Sequence, residues 1–268
     1  VAARPFRFSL FRPGLAGEPA AQVLFLVRWL LICAAVSLLV GSASAFFLWS
    51  LDWVTGWRES HRWVIALLPL SGFIVGASYH YLGQPVVKGT NLILDEIHNP
   101  RQVIPLRMAP LVLFGTLATH LFGGSAGREG TAVQMGGTLA DQLTRRLGLR
   151  PRDRQILLIA GISAGFASVF GTPLAGAVFG LEVLLIGSIR YDAIGPSFLA
   201  AIGADLVTRA WGVGHTLYPQ LAGPALTLST GLLTLGCGAL FGLTARGFAT
   251  LTHGIARVFQ RLAYPPLR

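Results

Sequence analysis

Apolar residues in this chain do not alternate with polar ones; they come in long runs. Residues 21–51 are almost wholly apolar, and about 20 such residues are enough to cross a bilayer as a helix. The pattern predicts a first membrane helix there. Trp49 and Trp53 fit an interface belt, a short polar turn follows at Arg58–Arg62, and a second span at 63–82 returns across the bilayer. A short helix is expected at 92–97, closed by Asn99-Pro100. Residues 103–122 form a third expected span. After a glycine-rich stretch, a helix is expected to start near Thr131, and its apolar run ends at Arg145-Arg146. Residues 156–170 and 174–189 are each short for a full crossing, and Gly171-Thr172-Pro173 separates them. Short apolar segments interrupted by Gly and Pro point to broken helices lining a transport site. Such breaks cannot face lipid, because their unpaired backbone groups would be too costly there. Residues 194–212 form another expected span, 215–223 a loop and 224–262 a long helix.

Composition agrees with this pattern. Hydrophobic residues make up 53%, charged residues only 12%, and the mean hydropathy is +0.63; soluble domains carry about 25% charged residues. The chain reads as an all-α polytopic membrane protein. Its net charge of +10 does not imply nucleic acid, since the basic residues flank apolar runs and form no continuous face. Arginine supplies all but one of the 21 positive residues, Lys88 being the exception. Arg4, Arg7 and Arg12, interleaved with prolines, make residues 1–20 a basic arm expected in the cytoplasm. Arg145, Arg146, Arg150, Arg152 and Arg154 form the densest basic cluster and are placed on the same side. The run at 21–51 is far longer than the core of a cleavable signal, about 7–15 residues, so it is read as a membrane helix. Cys33 and Cys237 lie in apolar runs without metal or redox spacing, and read as small buried hydrophobes. The six histidines are scattered. No phosphate loop, dinucleotide fingerprint or nucleophile elbow occurs, and no metal or cofactor is expected.

The chemistry concentrates in residues 123–137, GGSAGREGTAVQMGG. Arg128 and Glu129 stand between Gly123, Gly124, Gly127 and Gly130. Glycine lets the backbone turn sharply and lets a ligand approach the main chain. The helix that follows would aim its free first-turn amides and positive dipole end at whatever lies beside Glu129, which suits an anion. A helix cap alone would explain Glu129, but neither the glycine density nor an acid at membrane depth. A second break runs from Gly83 to Asn91. Its Thr90 hydroxyl and Asn91 amide can donate to an anion or simply cap the short helix. Lys88 beside them either attracts anions or snorkels to the surface. Arg128 either holds its loop or raises the local anion concentration.

Gly127-Arg128-Glu129-Gly130 resembles the G-[KR]-E-G-P motif of the CLC family of chloride channels and anion/proton antiporters, with Thr131 in place of the proline. Gly89-Thr90-Asn91-Leu92-Ile93 sits where that family has G-S-G-I-P. Pro173-Leu174-Ala175-Gly176 followed by Glu182 sits where it has P-L-A-G and then a pair of Glu. The likeness covers roughly residues 20–260, with three motifs in register. It implies an inverted-repeat fold with broken and re-entrant helices. Residues 21–221 would be the first membrane repeat and 222–268 the first helix of the second, so the fold is expected to be truncated after the first repeat. The second repeat's anion-binding loop has no counterpart.

The resemblance also implies roles. Glu129 is the expected gate and proton carrier, and Gly89, Thr90, Asn91, Leu92, Gly127, Arg128, Gly130 and Thr131 are the expected anion-binding residues. Val183 stands where chloride antiporters carry an internal proton-transfer Glu. Glu182 matches the neighbour of that Glu and is expected to be a buried polar residue paired within the protein. Thr90-Asn91 in place of the central serine, Thr131 in place of the proline and Val183 in place of the Glu together resemble the fluoride-selective branch, which exports fluoride in exchange for protons. The expected partners are fluoride or chloride, protons, the lipid bilayer and a second copy of the chain, with the homodimer formed through 173–212 and helped by Gly176 and Gly180. The expected location is the bacterial inner membrane, with a cytoplasmic N-terminus. A chloride channel or chloride/proton antiporter is the near alternative. An intramembrane enzyme is the distant one; Ser125 near Glu129 is its only candidate nucleophile and no histidine assists it. A purely structural membrane protein would need no acid between glycines.

Overall fold

The computed structural model describes residues 18–182, 190–215, 223, 225–262 and 264. Among them the regular structure is helical: α1 (Glu18–Ser60), α2 (Leu68–Leu82), α3 (Thr90–His98), α4 (Met108–Leu121), α5 (Arg128–Leu147), α6 (Pro151–Phe170), α7 (Pro173–Glu182), α8 (Ile194–Ala210) and α9 (Leu228–Phe259). Four segments among the described residues are long and apolar enough to cross a membrane: Gln22–Ser60, Arg62–Leu82, Pro151–Phe170 and Leu228–Phe259. The chain forms two compact units that divide after His215, the second holding α9; the expected boundary lay at 221/222. Within the second unit, Thr227 caps α9 by accepting the Thr230 amide at 3.2 Å.

In the first unit α6 is the central helix, packed against α1, α3, α5, α7 and α8. Most of its residues are buried all round the helix, as expected for a helix inside a bundle. It touches α5 backbone to backbone. A Cβ on Gly136 would collide with the Gly161 carbonyl, and one on Gly165 with the Ala132 carbonyl. Without side chains in the way, two helices gain dispersion contact along their whole crossing. On the other side, α1 meets α8 through Gly41 and Gly203. Hydroxyl bonds from Ser37 to the Ala200 carbonyl (3.3 Å) and from Thr208 to the Gly41 carbonyl (2.9 Å) join the two helices. The outer face of α1 is apolar too, with Leu31, Leu38, Trp49 and Trp53 exposed, so this helix suits a protein core on one side and lipid on the other.

Several boundaries differ from the sequence reading. Residues 18–20 belong to α1 and not to the arm; residues 1–17 lie outside the described residues. The third span is shorter than 103–122, because α4 begins only at Met108. Pro105 lacks an amide proton, and the Ile104 amide just before it donates to Asp141 Oδ2 at 2.8 Å instead of to a helix. Conversely, α6 is longer than 156–170, with Pro151 in its first turn and Gly171 in the left-handed conformation (φ 67°) ending it. Gly171 and Thr172 separate it from α7, which starts at Pro173, so the break holds as read. Gly176 and Gly180 pack inward, against Ala167 and Ser163 of α6. They are used up inside the chain, which corrects their expected place in a contact between two copies.

Candidate functional site

Two helix starts compose the site. Gly89 precedes α3 with φ 56°, a conformation that glycine adopts without strain, and it provides no side-chain cap. Thr90 and Asn91 are the first two helical residues, so neither occupies the capping position; the capping-only reading does not fit. The Asn91 and Leu92 amides close onto the Lys88 and Gly89 carbonyls at 3.2 and 3.0 Å. What α3 can offer an anion is therefore the Thr90 hydroxyl and the Asn91 side chain, not these amides. The Leu92 side chain packs against the hydrophobic core. Lys88 is ion-paired with Asp95 at 2.8 Å. That hydrogen bond and charge hold the Asp95 carboxyl below its ordinary range.

The other start is α5. Gly127 precedes it with an extended backbone (φ −77°, ψ 150°) and no side-chain cap. Glu129 is the second helical residue and therefore is not the cap. Both Arg128 and Glu129 are exposed. A Cβ on Gly127 would meet nothing within 4 Å, so the space in front of this helix start is open. Thr131 is buried, and its hydroxyl pairs with that of Thr116 on α4 at 2.6 Å. It joins α4 to α5. Gly130 sits 3.8 Å, measured from a built Cβ, from the Gln134 amide nitrogen. That amide donates to Thr90 Oγ1 at 3.4 Å, and so the starts of α3 and α5 meet. Gln134 was not singled out from sequence; the available signal was an amide in a helix otherwise lined there by small and apolar residues.

The sequence reading also missed the ionic centre that holds these helices. Arg154 of α6 makes a two-pronged contact with Asp141 of α5, at 2.7 and 2.8 Å, and reaches Glu96 of α3 at 2.9 Å and the Gln102 carbonyl at 2.6 Å. Glu96 also accepts the Arg101 and Gln102 amides. Asp141 accepts from Ile104 and Thr144. All three charged groups are buried. Arg154 is thus a buried, fully paired cation, unlike the exposed Arg145, Arg146, Arg150 and Arg152 around it. The legible hint was Asp141, the one acid of α5 beyond its first turn.

Glu182 is the last described residue of α7 and its side chain is exposed, against the expected burial. The buried positions of α7 are Gly176, Ala177, Gly180 and Leu181. Glu182 falls on the stripe of Leu174 and Val178, four residues apart and also exposed. Val183 lies outside the described residues.

A family model of the voltage gated chloride channel matches residues 71–268, which include both helix starts and the ionic centre. The chain belongs to the voltage-gated chloride channel (CLC) family. This CLC chain is 58% identical over 245 residues to a chloride/fluoride channel protein of Pseudomonas syringae pv. tomato, covering 91% of the chain and 54% of that protein. It is 31% identical to an H(+)/Cl(−) exchange transporter of Vibrio parahaemolyticus, covering 80% of the chain and 49% of that protein. The chain spans about half the length of these curated relatives. Among solved structures it superposes on a CLC-type fluoride/proton antiporter with a TM-score of 0.81 and 34% identity, over 89% of the chain and 60% of that protein. A slow cyanobacterial Cl−/H+ antiporter superposes with a TM-score of 0.72 at 22% identity, which speaks for the fold alone.

Proposed function

We propose that this CLC chain serves fluoride export coupled to proton import. The observation that carries the reading is the meeting of two glycine-led helix starts through Thr90 and Gln134, with Glu129 in the first turn of one of them. Its support is the similarity to a protein named a chloride/fluoride channel and to a solved fluoride/proton antiporter. Glu129 is the gate. As a carboxylate it competes with the anion for the positive end of α5; protonated, it loses that attraction and swings away. One residue then admits the anion and carries the proton. Fluoride is small and tightly hydrated, so only a site rich in donors offsets the loss of its water. The Thr90 hydroxyl and the Asn91 amide are such donors, and Arg128 adds positive charge beside Glu129.

The transporter sits in the bacterial plasma membrane with its N-terminus in the cytoplasm, and works as a homodimer. The exposed apolar stripe of Leu199, Ile202 and Leu206 on α8 is a face that suits a second copy. The test is efflux from liposomes holding the complete gene product, with fluoride and chloride electrodes and external pH read together. Fluoride efflux with proton uptake is expected. Chloride efflux at an equal rate would move the reading to a chloride/proton exchanger, and no anion efflux would end both.

A further inference from the structure

Gln134 stands on the second turn of α5 with its side chain half-buried. Its Nε2 donates to Thr90 Oγ1 at 3.4 Å. The same nitrogen lies 3.3 Å from where a Cβ on Gly89 would be, and 3.8 Å from one on Gly130. One side chain therefore lies between the glycine that leads α3 and the first turn of its own helix α5. Any side chain at Gly89 would press on this amide, and φ 56° at Gly89 already disfavours one.

A hydroxyl carries one donor and two acceptor lone pairs. Free to rotate, the Thr90 hydroxyl could present either side to a passing ion. The Gln134 amide has filled an acceptor position, which biases the O–H proton outward. We propose that Gln134 is a positioning residue for the anion site: it holds the Thr90 hydroxyl as a donor and thereby raises preference for fluoride over chloride. Fluoride, the smaller ion, gains more from a fixed donor, because its charge is closer to the proton. This inference rests on the reading of Thr90 as an anion ligand.

A double-mutant cycle tests it in liposomes containing the complete gene product, with half-saturating fluoride and the fluoride-to-chloride flux ratio as readouts. Gln134→Met keeps the length and removes the donor. It is expected to raise half-saturating fluoride about tenfold, the size of one ordinary hydrogen bond, and to lower the flux ratio. Gln134→Glu is isosteric, keeps the packing against Gly89 and draws the Thr90 proton to itself; it should lower the ratio at least as far. In a Thr90→Val background, Gln134→Met should add nothing. The inference is overturned if Gln134→Glu keeps the wild-type ratio, or if Gln134→Met has the same effect with and without the Thr90 hydroxyl. Thr90→Val without any effect on fluoride would remove the anion-site reading, and this inference with it.

Discussion

Arg154 Nε lies 2.7 Å from Asp141 Oδ1 where α6 crosses α5, and the same guanidinium reaches Glu96 at the far end of α3 from Thr90. Three helices and the non-helical segment before α4 are thus tied to one buried cation. The two helix starts of the site belong to two of those helices, so the charge centre fixes the scaffold from which Thr90 and Glu129 project.

Removing that cation is expected to destabilise the protein more than most substitutions. Arg154→Met leaves two buried carboxylates without compensation, a loss of about 3–5 kcal/mol. Arg154→Lys keeps the charge but cannot reproduce the fork on Asp141, and should fall between the wild type and Arg154→Met. Heating in mild detergent, followed by the monodisperse size-exclusion peak, measures both. An Arg154→Met protein that melts with the wild type would show the centre to be dispensable.

The fold class was legible because lipid leaves so few options: long apolar runs had to become helices, and Gly171-Thr172-Pro173 had to break one. Both helix starts of the site could be read from glycine placement. The ionic centre could not be, since Glu96, Asp141 and Arg154 are far apart in sequence and Arg154 looks like one more cytoplasmic arginine. The hydroxyl pair of Thr131 and Thr116 was illegible for a related reason: only the fold brings α4 and α5 together there. Glu182 shares the exposed stripe of Leu174 and Val178, two residues out of phase with the buried Gly176 and Gly180, a distinction finer than periodicity in an all-apolar segment can resolve.

Close packing of α5 on α6 gives a second prediction. Gly165→Ala places a methyl group against the Ala132 carbonyl, which is backbone and cannot rotate away. The expected cost is about 1–3 kcal/mol. Gly72 in α2 is the comparison, for a Cβ there meets nothing within 4 Å. Gly72→Ala should be neutral or stabilise by up to ~1 kcal/mol through helix propensity. The same melting assay separates them, and equal midpoints would contradict the backbone contact.

A pH dependence is expected from Asp192, just before α8. Hydrogen bonds from Arg190, at 3.0 Å, and from Arg152 hold its carboxyl below the ordinary value of 3.8. A carboxyl whose folded pKa is lowered contributes stability that is complete above its unfolded value and is lost as pH falls through the folded one. The wild type should therefore melt higher than Asp192→Asn at neutral pH. That gap should start to close as pH drops below 3.8. A gap that stays constant through this range would place the contribution of Asp192 outside its charge.

Glu129 carries the last prediction, made for the complete gene product. Glu129→Gln keeps the size of the side chain and its place in the first turn of α5, but it can neither become an anion nor release a proton. If Glu129 is both gate and proton carrier, the variant either stops transporting or moves fluoride without drive from a pH gradient. Position 183 sharpens the test, because valine there cannot serve as a second relay. Glu182→Gln is the control: its carboxylate lies on the exposed stripe of α7 with Leu174 and Val178, and proton coupling should survive its loss. The measurement is proton uptake per fluoride released from liposomes against an opposing pH gradient. A Glu129→Gln protein that takes up protons at the wild-type ratio would show that the proton crosses by another route, and Glu129 would then be left with a part in anion access alone.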